Sequence, residues 1–264
     1  MASPLRILVF DSGLGGLTVF AEIARLRPDA LYTYVADDAF FPYGDHDEEK
    51  LTARVVPLIG DLITHYQPDL VVVACNTAST LVLAHLRATF TVPFVGTVPA
   101  IKPACAASVT KRVSVLGTQA TVTREYTRKL IRDFAQGCDV KLVGSSQLAR
   151  IAETALRGEP ADEAAVVEEI TPCFVDEDGR CTDAVVLACT HYPLLIEQFR
   201  KLELWTVAWI DPAAAIARRV TDLIGPSPAP HAILRAEAVF TSKRAVEPVL
   251  AQALMRRGFT LKAD

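Results

Sequence analysis

The amino-acid sequence predicts an α/β protein of two pseudo-symmetric lobes, each a mostly parallel sheet flanked by helices, with the active site in the interlobe cleft. Three observations carry this expectation. Short, continuous apolar runs alternate with longer helical patterns, as parallel strands buried on both faces require. The segment Asp69-Leu-Val-Val-Val-Ala-Cys75 returns as Asp183-Ala-Val-Val-Leu-Ala-Cys189, with the same spacing from aspartate to cysteine. The opening Arg6-Ile-Leu-Val-Phe-Asp-Ser-Gly is echoed by Arg112-Val-Ser-Val-Leu-Gly-Thr-Gln, so each half offers a strand with a polar turn and, later, a strand ending in Ala-Cys.

Residues 5–10 are an apolar run and predict the first strand, closed by Asp11-Ser12-Gly13. The glycines that follow allow a tight turn into the helical pattern at 16–26. Runs at 31–36, 70–74 and 93–96 continue the first set of strands, separated by helical patterns at 47–66 and 78–89. Pro99 and Pro103 mark irregular backbone, which places the crossover between halves near residues 97–102. Runs at 112–116, 140–143, 184–188 and 206–210 supply the second set of strands. Their helical patterns lie at 121–135, 146–157, 161–176, 193–201 and 212–224. The stretch 225–230, Gly-Pro-Ser-Pro-Ala-Pro, is a loop; a strand-like segment at 237–241 and a final helix follow. Pattern alone leaves open which lobe this tail joins.

The 264 residues suffice for one large α/β domain or two small ones, and 51% hydrophobic content supports an ample core. Charges interrupt every apolar stretch, so no membrane span is expected. No secretory signal is visible before the first strand. A net charge of −4 gives no general attraction to nucleic acid or to anionic membranes. The six cysteines form neither a disulfide lattice nor a paired zinc motif, which fits a reduced, cytoplasmic setting.

Cys75 and Cys189 each end a strand and precede a helix. A thiol there is either a small buried hydrophobe or an acid–base group tuned by helix-end N–H groups. Two in register favour the second reading. Asn76, Thr77 and Thr190 follow the thiols; they can bind a carboxylate, cap a helix, or do both. Asp11 can accept from an ammonium group or assist a thiol, or simply cap the next helix. Its Asp-Ser-Gly-Leu-Gly-Gly setting is neither a dinucleotide fingerprint nor a phosphate loop. His191 lies two residues after Cys189 and is the acid–base candidate among the histidines; His46, His65, His85 and His231 read as structural or surface groups. Phe41-Pro42-Tyr43-Gly44 makes a rigid turn that can aim N–H groups and the Tyr43 hydroxyl into a cleft. Glu153 sits in a helical pattern whose default reading is a solvated face. No motif for pyridoxal phosphate or for a metal is present, and no cofactor is expected.

Taken together, these stretches resemble the glutamate racemases of the aspartate/glutamate racemase superfamily. The likeness rests on Val9-Phe-Asp-Ser-Gly-Leu-Gly-Gly-Leu, Phe41-Pro-Tyr-Gly, Ala74-Cys-Asn-Thr-Ala-Ser, Val95-Gly-Thr-Val-Pro-Ala-Ile-Lys-Pro-Ala, Leu116-Gly-Thr and Ala188-Cys-Thr-His-Tyr-Pro-Leu-Leu. The resemblance implies a cofactor-independent racemase that interconverts L- and D-glutamate and supplies D-glutamate for peptidoglycan. It implies an N-terminal lobe of residues 1–98 plus 211–264 and a C-terminal lobe of 99–210, the tail packing back on the first lobe. By position, Cys75 matches the thiol acting on D-glutamate and Cys189 the one acting on L-glutamate. Asp11 and His191 match their acid–base helpers, and Glu153 a carboxylate near the histidine. Asp11, Ser12, Tyr43, Gly44, Asn76, Thr77, Thr190 and His191 match substrate contacts, with Thr118 and Thr121 lining the same cleft. Homodimers are common in such a family. One departure is Ala36-Asp-Asp-Ala-Phe-Phe, where many members carry Gly-Asp before Pro-Tyr-Gly. Rival readings are an aspartate or hydantoin racemase, a one-cysteine decarboxylase or hydrolase, and a two-lobed binding protein without catalysis.

Overall fold

The computed structural model describes residues 4–260. The ends of the N-terminal lobe assignment, 1–3 and 261–264, lie outside the described residues. In the first half, strands β1 (Arg6–Asp11), β2 (Leu31–Ala36), β3 (Leu70–Val73) and β4 (Phe94–Gly96) alternate with helices α1 (Leu17–Leu26), α2 (Glu48–Tyr66) and α3 (Asn76–Thr89). Helix α4 (Ile101–Ala107) follows the crossover and leads to β5 (Arg112–Thr118), α5 (Gln119–Thr123), α6 (Glu125–Phe134), β6 (Asp139–Ser145), α7 (Leu148–Leu156) and α8 (Glu163–Ile170). A hairpin of β7 (Asp176–Glu177) and β8 (Arg180–Cys181) precedes β9 (Ala184–Ala188), α9 (Ile196–Leu202) and β10 (Ala208–Ile210). The tail comprises α10 (Ala213–Ile224), β11 (Arg235–Phe240), α11 (Pro248–Met255) and β12 (Phe259–Thr260).

Two parallel sheets result. The first has the order β12-β11-β2-β1-β3-β4 and the second β10-β9-β5-β6. Written β2-β1-β3-β4 and β6-β5-β9-β10, the two share one winding. In each, the chain reverses direction of growth beside its opening strand, between β1 and β3 and between β5 and β9. Ligands of open α/β sheets collect at the carboxyl ends of strands at such a switch point. The strands are apolar on both faces because both faces are covered. Ile7 and Val9 enter one core and Leu8 and Phe10 the other; Leu70 and Val72 part from Val71 and Val73 in the same way. In the second sheet Val185 and Leu187 face one core, Ala184 and Val186 the other. Each such aliphatic side chain stabilises the fold by about 1.5–3 kcal/mol relative to exposure.

Several segments differ from the sequence expectation; one is α4, where Pro103 sits in the first turn of a helix instead of marking irregular backbone. The helix expected over 121–135 is two helices, broken where Arg124 turns extended (φ −71°, ψ 143°). Across the break the Thr127 hydroxyl donates to Thr121 O at 2.7 Å, capping a carbonyl at the end of the first of them. The helix expected over 161–176 ends at Ile170; Pro172 lacks the N–H to continue it, and the chain turns into the β7–β8 hairpin through Asp178 and Gly179, both at positive φ. Strand β12, two residues long, escaped the sequence pattern. The tail meets the first sheet: β11 pairs with β2 and α10 lies along α1.

Candidate active site

Cys75 follows β3, and Ala74 N–H donates to Phe10 O at 2.7 Å, which fixes the strand end beside β1. It is the N-cap residue of α3. The thiol donates to Ser12 Oγ at 3.8 Å. Burial pushes the Cys75 pKa up, and the Asp11 charge adds to the rise. Asp11, fully buried at the end of β1, accepts from Gly16 N–H at 2.8 Å through Oδ2, while Oδ1 has no partner. Burial raises its pKa against the opposing pull of His191.

The second thiol sits differently. Cys189 follows β9, but a turn and a short 3-10 segment, Tyr192–Leu195, intervene before α9. The expectation that both cysteines immediately precede an α-helix therefore holds only for Cys75; Pro193 at the start of that 3-10 segment shapes the second exit. His191 occupies the place of helix-end donors. Its Nδ1 is 3.8 Å from Cys189 Sγ, and its Nε2 is 2.8 Å from Glu153 Oε1. Burial pulls the imidazole pKa down, yet hydrogen bonds to Cys189 and Glu153 more than offset it and raise the pKa well above the ordinary value.

Glu153 is buried, contrary to the solvated-face default. Helix α7 turns it inward, and the loop after β1 covers it: Leu14 N–H donates to Oε1 at 2.5 Å. Gly15 N–H points at His191 Nε2, 3.2 Å away. This approach requires glycine. A Cβ on Gly13 would lie 2.2 Å from Glu153 Oε1, and one on Gly15 would lie 2.5 Å from His191 Nδ1.

A small cavity of about 20 Å³ separates the two sulfur-bearing turns. Ser12, Tyr43, Gly44, Cys75, Asn76, Thr77, Thr118, Cys189, Thr190 and His191 line it. Phe41, Pro42 and Ala149 line it too; the first two lay within a motif read for its neighbours, and Ala149 carried no signal. Asp11, Glu153 and Thr121 stand behind the wall. Thr121 Oγ1 forms a hydroxyl triangle with Thr77 and Thr118, with edges of 3.2, 3.0 and 3.1 Å. Both side-chain polar atoms of Asn76 are buried without partners, which points to a ligand as their complement. The Tyr43 hydroxyl does not reach into the cavity as expected but donates to Asp37 Oδ2 at 2.7 Å. A larger cleft of about 550 Å³ shares Phe41 with it and is lined by Glu153 as well, but neither thiol lines it.

All six cysteines are free. Burial pushes Cys173 up to about 12, as befits an inert core thiol. Among the described residues, no group of three or more His, Cys, Asp or Glu could hold a metal ion, and no helix is long and apolar enough to cross a membrane.

Fold and site together have the form of a two-lobed α/β enzyme that encloses a small molecule between its sheets. The chain belongs to the Asp/Glu/Hydantoin racemase family, whose pattern matches residues 16–220. It is 59% identical to a glutamate racemase of Brucella anthropi over 221 residues, covering 83% of this chain and 80% of that one. Its fold superposes on Escherichia coli glutamate racemase, solved with L-glutamate and the activator UDP-MurNAc-ala, at a TM-score of 0.85 and 38% identity, covering 98% and 97% of the two chains. Glutamate racemase RacE1 of Bacillus anthracis matches at 0.81 and 25% identity, covering 98% of this chain and 97% of that one.

Proposed function

We propose that this enzyme interconverts L- and D-glutamate without a cofactor, by a two-base mechanism with Cys75 and Cys189 as the bases. The observation that carries the reading is the single small cavity lined by both thiols. In the L-to-D direction Cys189 removes the α-proton and Cys75, kept as a thiol by burial, returns one to the opposite face. His191 exchanges a proton with Cys189 through Nδ1, and Glu153 holds the imidazolium. In the reverse direction Asp11, made more basic by burial, relieves Cys75 of its proton. The carbanion-like state is stabilised by the Asn76 side chain and the open N–H groups at the start of α3, in a chamber too small for bulk water. The assignment of Ser12, Tyr43, Gly44, Thr77, Thr118, Thr121 and Thr190 to substrate binding belongs to the same proposal. So do the lobes 1–98 plus 211–264 and 99–210, a cytoplasmic setting, a homodimer and the supply of D-glutamate for peptidoglycan, which rest on the family.

The test is polarimetry of purified protein with L-glutamate, and separately with L-aspartate, no cofactor added. Glutamate is expected to racemise, with solvent deuterium entering the α-position. Cys75→Ala and Cys189→Ala are each expected to lower turnover by roughly a thousandfold or more. Full activity in either single variant would exclude the two-thiol scheme.

A further inference from the structure

The Asp37-Asp38 pair stands in the segment that departs from the Gly-Asp pattern, and Asp37 does more than make a turn. It is fully buried, which costs a carboxylate several kcal/mol unless donors replace its water. Four bonds do so. Oδ1 accepts from Arg54 Nη2 and from Thr241 Oγ1, each at 2.6 Å. Oδ2 accepts from Tyr43 OH at 2.7 Å and from Arg54 Nε at 3.0 Å. The donors come from α2, from the residue after β11, and from the turn that walls the cavity. Asp37 N–H also donates to Asp11 O at 2.9 Å, tying the ends of β2 and β1. Arg54 lies 5.9 Å from the centre of the Phe40 ring, which stacks on His46 at 3.8 Å, so the turn leans on the same guanidinium. Asp37 itself is absent from the cavity lining, whereas Tyr43 and Gly44 form part of it. Gly44 faces Thr118 across the cleft, where an added Cβ would lie 3.2 Å from Thr118 Cβ.

We propose that Asp37 is a positioning residue for racemisation: by holding the Tyr43 phenol it fixes the Tyr43–Gly44 wall and so sets the fit of the bound amino acid. This rests on the glutamate reading above. Because the phenol proton is committed to Asp37, Tyr43 meets the substrate through its ring and backbone. Loosening the link displaces the wall without touching either thiol, so the effect falls on binding before chemistry.

The experiment compares wild type, Asp37→Asn, Tyr43→Phe and the double variant for racemisation of L-glutamate, separating KM from kcat, with thermal melting of each. Both single variants are expected to raise KM roughly tenfold while kcat stays within about threefold. The double variant is expected to be no worse than the worse single one, because both delete the same link. Tyr43→Phe is expected to melt within about five degrees of wild type, so it carries the test if Asp37→Asn fails to fold. An unchanged KM in Tyr43→Phe, with wild type active, overturns the role of Asp37 alone, as do effects that multiply in the double variant. A wild-type chain that does not racemise glutamate overturns the functional reading and this proposal with it.

Discussion

Gly15 shows how much of the site depends on a missing side chain. Its N–H faces His191, and any Cβ would meet the His191 ring at 2.5 Å and its backbone N at 2.6 Å. Its φ is not positive, so alanine suits the backbone but not the space. Gly15→Ala is therefore expected to force the loop away from His191 and Glu153 and to lower kcat roughly a hundredfold, the cost of a misplacement near 1 Å. The melting temperature is expected to fall as well, because the Cβ also crowds the buried His191 backbone; wild-type turnover in this variant would show the contact to be dispensable. Glu153 is the residue least legible in the sequence. What buries it comes from Leu14, 139 residues away, and a helical pattern read locally cannot report a cover supplied from so far. Cys75 and Cys189, by contrast, were legible because two identical spacings stood in one chain.

Among the elements, α1 and α10 are joined at their ends by one side chain. Arg27 follows α1, pairs with both Asp29 oxygens at 2.9 and 2.8 Å, and donates to the carbonyls of Ile224 and Gly225 that close α10. The pair is nearly dry, with side-chain exposures of 5% and 13%. Arg27→Ala leaves a carboxylate and two carbonyls without their donor and is expected to cost about 3 kcal/mol, read as a lower urea midpoint. Hydrogen bonding to Arg27 lowers the Asp29 pKa from 3.8 to about 2, against burial. A carboxyl depressed in the folded state contributes stability above its unfolded pKa and loses it as pH falls through the folded value. Asp29→Asn is thus expected to be less stable than wild type at pH 5 to 7, with the two denaturation curves converging near pH 2. A difference independent of pH would rule out the ion pair as its source. A strand buried on both faces, such as β1, and a helix with one apolar face, such as α1, were readable from apolar runs and period. The break at Arg124 and the two residues of β12 were not, because a hydroxyl cap and a late edge strand leave no periodic trace.

For the whole molecule, the lobes are drawn together by Arg157–Glu247 at 3.7 Å and by two closer ion pairs, Arg124–Glu48 at 3.2 Å and Arg150–Asp45 at 2.5 Å. A chamber of about 20 Å³ has room for roughly one water, so an amino acid enters only after the lobes part. Each exposed pair is worth about 0.5 kcal/mol. Removing the two closer pairs with Glu48→Gln and Asp45→Asn favours the parted form and is expected to lower the KM for glutamate about fivefold, with added salt producing a like fall in wild type. A KM indifferent to both would show that other contacts hold the closed form. The duplicated winding was legible from the paired segments; the unequal exits after Cys75 and Cys189 were not, since Pro193 acts only through the backbone around it.

The placement of β11 and β12 beside β2 also dictates an order of events on the ribosome. Strands β5, β6, β9 and β10 are complete by residue 210, so the middle of the chain can close its own sheet while synthesis continues. Strand β2 emerges early and waits for a neighbour made some two hundred residues later. Until then a nascent chain carries a naked sheet edge, the kind that invites pairing with a stranger.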